Sequence, residues 1–101
     1  MTMQGGVSNP ILLSFNVTAS GELVEEVAGK KIRVLAMALG RAAGNARLAS
    51  SGGAIICGPF AQTAVLPFMA SGWCETVAGE ALNIALSGSD STGGSITYIL
   101  V

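Results

Sequence analysis

The chain has 101 residues, 50% of them apolar and only 11% charged, with five basic and six acidic side chains and no histidine. That length fits one domain, and the absence of His excludes Ser-His-Asp and Cys-His catalysis and imidazole metal sites. The charged share is less than half of the about 25% typical of a soluble domain, so surface must be hidden in a membrane or against neighbouring proteins.

Residues 1–10 show no periodicity and are expected to form an N-terminal arm ahead of a domain spanning 11–101. Residues 11–18 alternate, with Ile11, Leu13, Phe15 and Val17 apolar and Ser14, Asn16 and Thr18 polar. That is the period-2 pattern of a strand with one buried face. A short strand is expected over 23–27. A longer one follows over 31–39, with Ile32, Val34, Ala36 and Ala38 on one face and Arg33, Leu35, Met37 and Leu39 on the other. Beyond Arg33 both of its faces are apolar, so it is either central or covered by a partner. Short strands are expected over 46–49, 54–57, 63–68 and 73–77. The alternation returns over 81–87, with Leu82, Ile84 and Leu86, and over 95–101, with Ile96, Tyr98 and Leu100.

Gly-containing turn signals separate these segments, among them Ala28-Gly29, Gly52-Gly53, Ala78-Gly79 and the run 88–94. Strands every 8–12 residues or so read as a sandwich or barrel. The competing helix over 34–48 is broken by Gly40 and Gly44 and has no capping residue. The expected fold is all-β: a single antiparallel β-sandwich of about eight strands, whose order could be a jelly roll. Residues 25–36 and 75–86 form a weak internal repeat, each reading strand, Ala-Gly turn, strand. We read it as one turn chemistry used twice.

A transmembrane helix needs roughly 18–20 consecutive apolar residues, and the best stretch, 34–39, lies between Arg33 and Arg41. Residues 1–15 carry no Lys or Arg and no secretory-signal pattern. Neither a membrane nor nucleic acid is expected as a partner, because the few basic residues form no patch. Two Cys cannot close a zinc site within one chain, and no phosphate loop is present, so no metal, cofactor or catalytic residue is expected. Glu25, Glu26, Glu75 and Glu80 read as solvated edges and turn rims.

The surplus of apolar residues points to protein–protein assembly, with Leu35, Met37, Leu39, Leu66, Phe68 and Trp73 as candidate interface residues. Trp73 could instead be a buried core indole. Lys30, Lys31 and Arg33 could pair across a hairpin with Glu22, Glu25 and Glu26. Cys57 and Cys74 could be free thiols, an intrachain disulfide or an interchain disulfide.

Residues Leu66-Pro67-Phe68, Gly72-Trp73, Glu75-Thr76 and Gly79-Glu80-Ala81-Leu82-Asn83 resemble a recurrent pattern in small virion proteins of tailed bacteriophages. Residues 27–35 and the final hydrophobic strand 96–101 are similar to the matching segments, so the resemblance covers about 18–101. The chain departs from the pattern at Cys74, where an aromatic follows the Trp, and over 40–53. The resemblance implies a small β-sandwich acting as a capsid decoration (cement) protein. Such a protein would bind the phage head as a homo-oligomer, often a trimer, against the major capsid protein or other virion proteins. It would be made in the host cytoplasm and located in the virion. The alternative it implies is a head-fibre, tail-fibre or spike component that contacts the host surface.

Overall fold

The computed structural model describes residues 9–88 and 90–101. Most of the expected N-terminal arm lies outside the described residues. Among these residues there are nine strands and no helix: β1 (Ile11–Val17), β2 (Gly21–Val24), β3 (Ile32–Arg41), β4 (Ala46–Ser50), β5 (Ile55–Phe60), β6 (Thr63–Leu66), β7 (Cys74–Glu75), β8 (Leu82–Leu86) and β9 (Thr92–Leu100). Each expected segment contains a strand, but β2 lies over Gly21–Val24 and leaves 25–27 of the expected 23–27 outside it, and β7 is only Cys74–Glu75 of the expected 73–77; the 34–48 helix does not form.

The strands make two antiparallel sheets, ordered β1-β9-β3-β6 and β2-β8-β4-β5, with β7 added to β3. The pairs β1–β9, β2–β8, β3–β6 and β4–β5 nest one inside the next. That nesting is the order of a jelly roll, a long hairpin folded over on itself into a sandwich. The core lies between the sheets and is built from Ile32, Val34, Met37, Leu39, Leu48, Leu82, Ile84 and Ile96, with Leu13, Phe15 and Val17 packed against it.

Two features of the sequence set the local geometry. The Ala-Gly turns recur as the repeat implies: Lys30 N–H donates to Val27 O and Glu80 N–H to Val77 O, at 3.0 and 3.1 Å. Gly29 and Gly79 sit at φ +73° and +80°, where a Cβ is penalised. The two turns lie side by side, joined by a bond from Gly79 N–H to Lys30 O of 2.8 Å. The second feature is Gly94. The run 88–94 was expected to be a turn, but β9 begins at Thr92 and takes in Gly93 and Gly94. The reason is close approach of β3, since a Cβ on Gly94 would lie 2.0 Å from Ala38 O.

The central strand departs from simple alternation. Val34 pairs with Tyr98 and Ala36 with Thr97, so β3 spends one extra residue, Leu35, against β9. Such a bulge reverses which residues face inward. Before it, Ile32 and Val34 are buried; after it, Met37, Leu39 and Arg41 are buried, while Ala38 and Gly40 are exposed.

Candidate functional site

The bulge corrects the placing of three candidate interface residues. Leu35, Met37 and Leu39 are 2%, 3% and 4% exposed and are unavailable to a partner. Unbroken alternation puts them opposite Val34, and the extra residue turns Met37 and Leu39 into the core instead. The carbonyls of Val34 and Leu35 accept from Trp73 N–H (2.8 Å) and Met69 N–H (2.9 Å). These bonds hold the 67–73 loop along β3, between its partners β6 and β7.

The same reversal exposes a different surface. Pairing across the five-stranded sheet brings Leu12, Thr97 and Ala36 into one outward row. Ser14, Ser95, Ala38 and Val65 make the next, and Asn16, Gly93, Gly40 and Thr63 the third. No residue in these rows carries a charge. Small residues form the floor, and larger apolar ones rise at its sides: Leu12, 68% exposed, on β1, and Val65, 67% exposed, on β6. Phe68, 62% exposed, extends the second wall. A shallow groove of about 230 Å³ runs between Ala36, Ala38, Val65, Pro67, Phe68 and Thr97. Isolated exposed hydrophobics are ordinary; here Val65 and Phe68 stand together along one side of an uncharged face that also carries Ser14, Ser95, Asn16, Thr63 and Thr97.

Of the remaining candidates, Leu66 packs half-buried against the core at the edge of this groove. Trp73 is not a core indole: it is exposed, and its Nε1–H donates to Pro67 O at 2.8 Å, closing the 67–73 loop. Phe68 is in that loop. Sequence reasoning missed Leu12, Ala36, Ala38 and Val65. Leu12 carried a signal, as an apolar residue in phase with Ser14 and Asn16.

The charged residues pair differently from the sequence expectation. Lys31 and Arg33 both bond Glu75, at 3.1 and 2.9 Å, rather than Glu22, Glu25 or Glu26. The cause is topology, since β3 is flanked by β9, β6 and β7, while β2 lies in the other sheet. Hydrogen bonds from Lys31 and then Arg33 hold the Glu75 carboxyl below its ordinary range. Glu80 is held low in the same way by Ser50 Oγ–H at 2.5 Å and Gly52 N–H at 2.8 Å. Both carboxylates are therefore occupied as structural acceptors. Arg33, Glu75, Ser71, Gly72 and Trp73 line a second, polar cleft of about 240 Å³.

The topology also brings β5, which carries Cys57, into contact with β7, which carries Cys74; both are half-buried free thiols. No group of three or more His, Cys, Asp or Glu able to hold a metal occurs among the described residues, and no helix there is long and apolar enough to cross a membrane. Comparison with protein-family models, with curated proteins and with solved structures returned no match.

Proposed function

We propose that the protein is a non-enzymatic virion structural component, a capsid decoration (cement) protein that binds the phage head as a homotrimer and stabilises it. The observation that carries this reading is the uncharged outer face of the five-stranded sheet, walled by Leu12, Val65 and Phe68. A standard interface removes about 800 Å² from each partner, roughly a sixth of the 5150 Å² this chain exposes. At about 25 cal/mol per Å², a contact of that size of which about half is apolar contributes about 10 kcal/mol per partner, comparable with the 4–15 kcal/mol cost of association. Many copies on one shell then reinforce one another. The resemblance over 18–101 supplies the capsid and the trimer. Jelly rolls are common in viral capsid proteins, which is support by analogy of fold alone.

The test is the copy number and position of the protein on purified particles by quantitative mass spectrometry and cryo-microscopy. Hundreds of copies over the shell are expected. A handful of copies confined to the tail, or a monomer at high concentration, refutes the proposal.

One observation favours the fibre or spike reading. The cleft beside the exposed Trp73 combines an aromatic ring with Arg33 and Glu75, the pairing of apolar face and polar groups on which sugars bind. Binding of the isolated protein to a glycan array, lost in Trp73→Ala, would move the function to host contact.

A further inference from the structure

The two cysteines occupy a particular place in the sandwich. Cys57 is on β5, the last strand of the four-stranded sheet, and Cys74 is on β7, attached to β3 of the other sheet. The two strands run past each other at the side of the sandwich where neither sheet continues. Both side chains pack against the shared core, and the strands that carry them, β5 and β7, are in contact. Residues far apart in the sheet pairings are thus brought near each other where the two sheets meet.

We propose that Cys57 and Cys74 are an oxidisable pair that closes into a disulfide joining the two sheets. The co-reactant is a small-molecule disulfide such as oxidised glutathione. Burial, followed by the nearness of Cys57, pushes the Cys74 thiol up to about 12, so Cys74 is the poorer first nucleophile. Cys57 Sγ, as thiolate, attacks one sulfur of the small disulfide and releases one small thiolate. Cys74 Sγ then gives up its proton and attacks Cys57 Sγ, releasing the second. One sulfur–sulfur bond breaks and one forms. The protein loses two electrons and two protons, and the small disulfide gains them as two thiols.

The bond has a structural consequence. Between Cys57 and Cys74 lie β6 and the 67–73 loop, which carry Val65, Phe68 and Trp73. Closing the pair ties both ends of the segment that forms one wall of the uncharged groove. It also removes loop freedom from the unfolded chain.

The test uses the full chain, treated in its native state with oxidised glutathione or with dithiothreitol. Oxidation is expected to lower the mass by two hydrogens and remove both titratable thiols. The chain should remain monomeric on non-reducing denaturing electrophoresis and give one cross-linked peptide holding Cys57 and Cys74. For a loop of this length Tm should rise by roughly 10–20 °C. Cys57→Ser and Cys74→Ser should each abolish the oxidant-induced rise. The comparison of oxidised with reduced wild-type protein stands even if a variant folds poorly. Thiols that stay titratable, a mass gain from glutathione on each cysteine, a covalent dimer, or a fall in Tm on cross-linking would each overturn the proposal.

Discussion

Met37 and Ala38 are neighbours on β3, and they separate the core from the outer face of the sheet in a single experiment. Met37 is 3% exposed, opposite Ile96 on one side and Leu66 on the other. Met37→Ala removes a desolvated thioether and leaves a cavity between these partners, a change that costs about 2–5 kcal/mol. A 101-residue domain has about 5–15 kcal/mol in total, so roughly a third is lost and Tm falls by about 10–25 °C. Ala38 faces outward in the uncharged rows. Ala38→Lys should leave the unfolding free energy of the dilute chain within about 0.5 kcal/mol. In an assembly the same ammonium meets no counter-charge from these rows, and an unpaired buried charge costs about 3 kcal/mol or more. That corresponds to association weakened at least roughly 100-fold. Urea denaturation at low concentration reads the first quantity and sedimentation equilibrium the second. The reasoning fails if Met37→Ala costs under about 1 kcal/mol, if Ala38→Lys unfolds the chain, or if Ala38→Lys associates as the wild type does.

Three further outcomes are expected. Gly94→Ala must displace β3, because its Cβ would meet Ala38 O at 2.0 Å; a loss of about 3 kcal/mol in urea denaturation is expected. Ser50, 1% exposed, accepts from Val77 N–H at 3.1 Å and donates to Glu80 at 2.5 Å. Ser50→Ala should therefore cost about 1–3 kcal/mol and raise the Glu80 carboxyl towards its ordinary value, followed by NMR titration. Glu75 and Glu80 are both held below their ordinary value of 4.5, so the folded state favours the ionised form. Their stabilisation is complete above that value and disappears as pH falls through the depressed folded values. Tm should decline on acidification below about pH 4.5, and Glu75→Gln should flatten part of that decline.

The pairing of charges shows where local reading stops. Lys31 and Arg33 lie on a segment with strand periodicity, and the acidic residues nearest along the chain are Glu22, Glu25 and Glu26. A jelly roll sends β2 and β3 to different sheets, so the partner comes from Glu75, more than forty residues on. The Ala-Gly repeat was legible because turn chemistry is local: each Gly supplies its own positive φ. Gly93 and Gly94 read locally as a turn but lie in β9, because the reason for Gly94 is another strand's backbone, which no window along the chain contains.

Alternation and turn residues by themselves determined the all-β class, the approximate number of strands and most of their approximate limits, because each depends on residues within a few positions of one another. The lack of charge is likewise legible in composition alone. The strand order, and which side chains face outward, were decided only in three dimensions. A single bulged residue in β3 inverts the faces of every residue after it. Leu35, Met37 and Leu39 are lost to a partner, while Leu12, Ala38 and Val65 line the outer face. A period-2 pattern with apolar residues on both faces does not encode that choice. The packing of the second sheet makes it, by accepting the larger side chains and leaving the small ones outside.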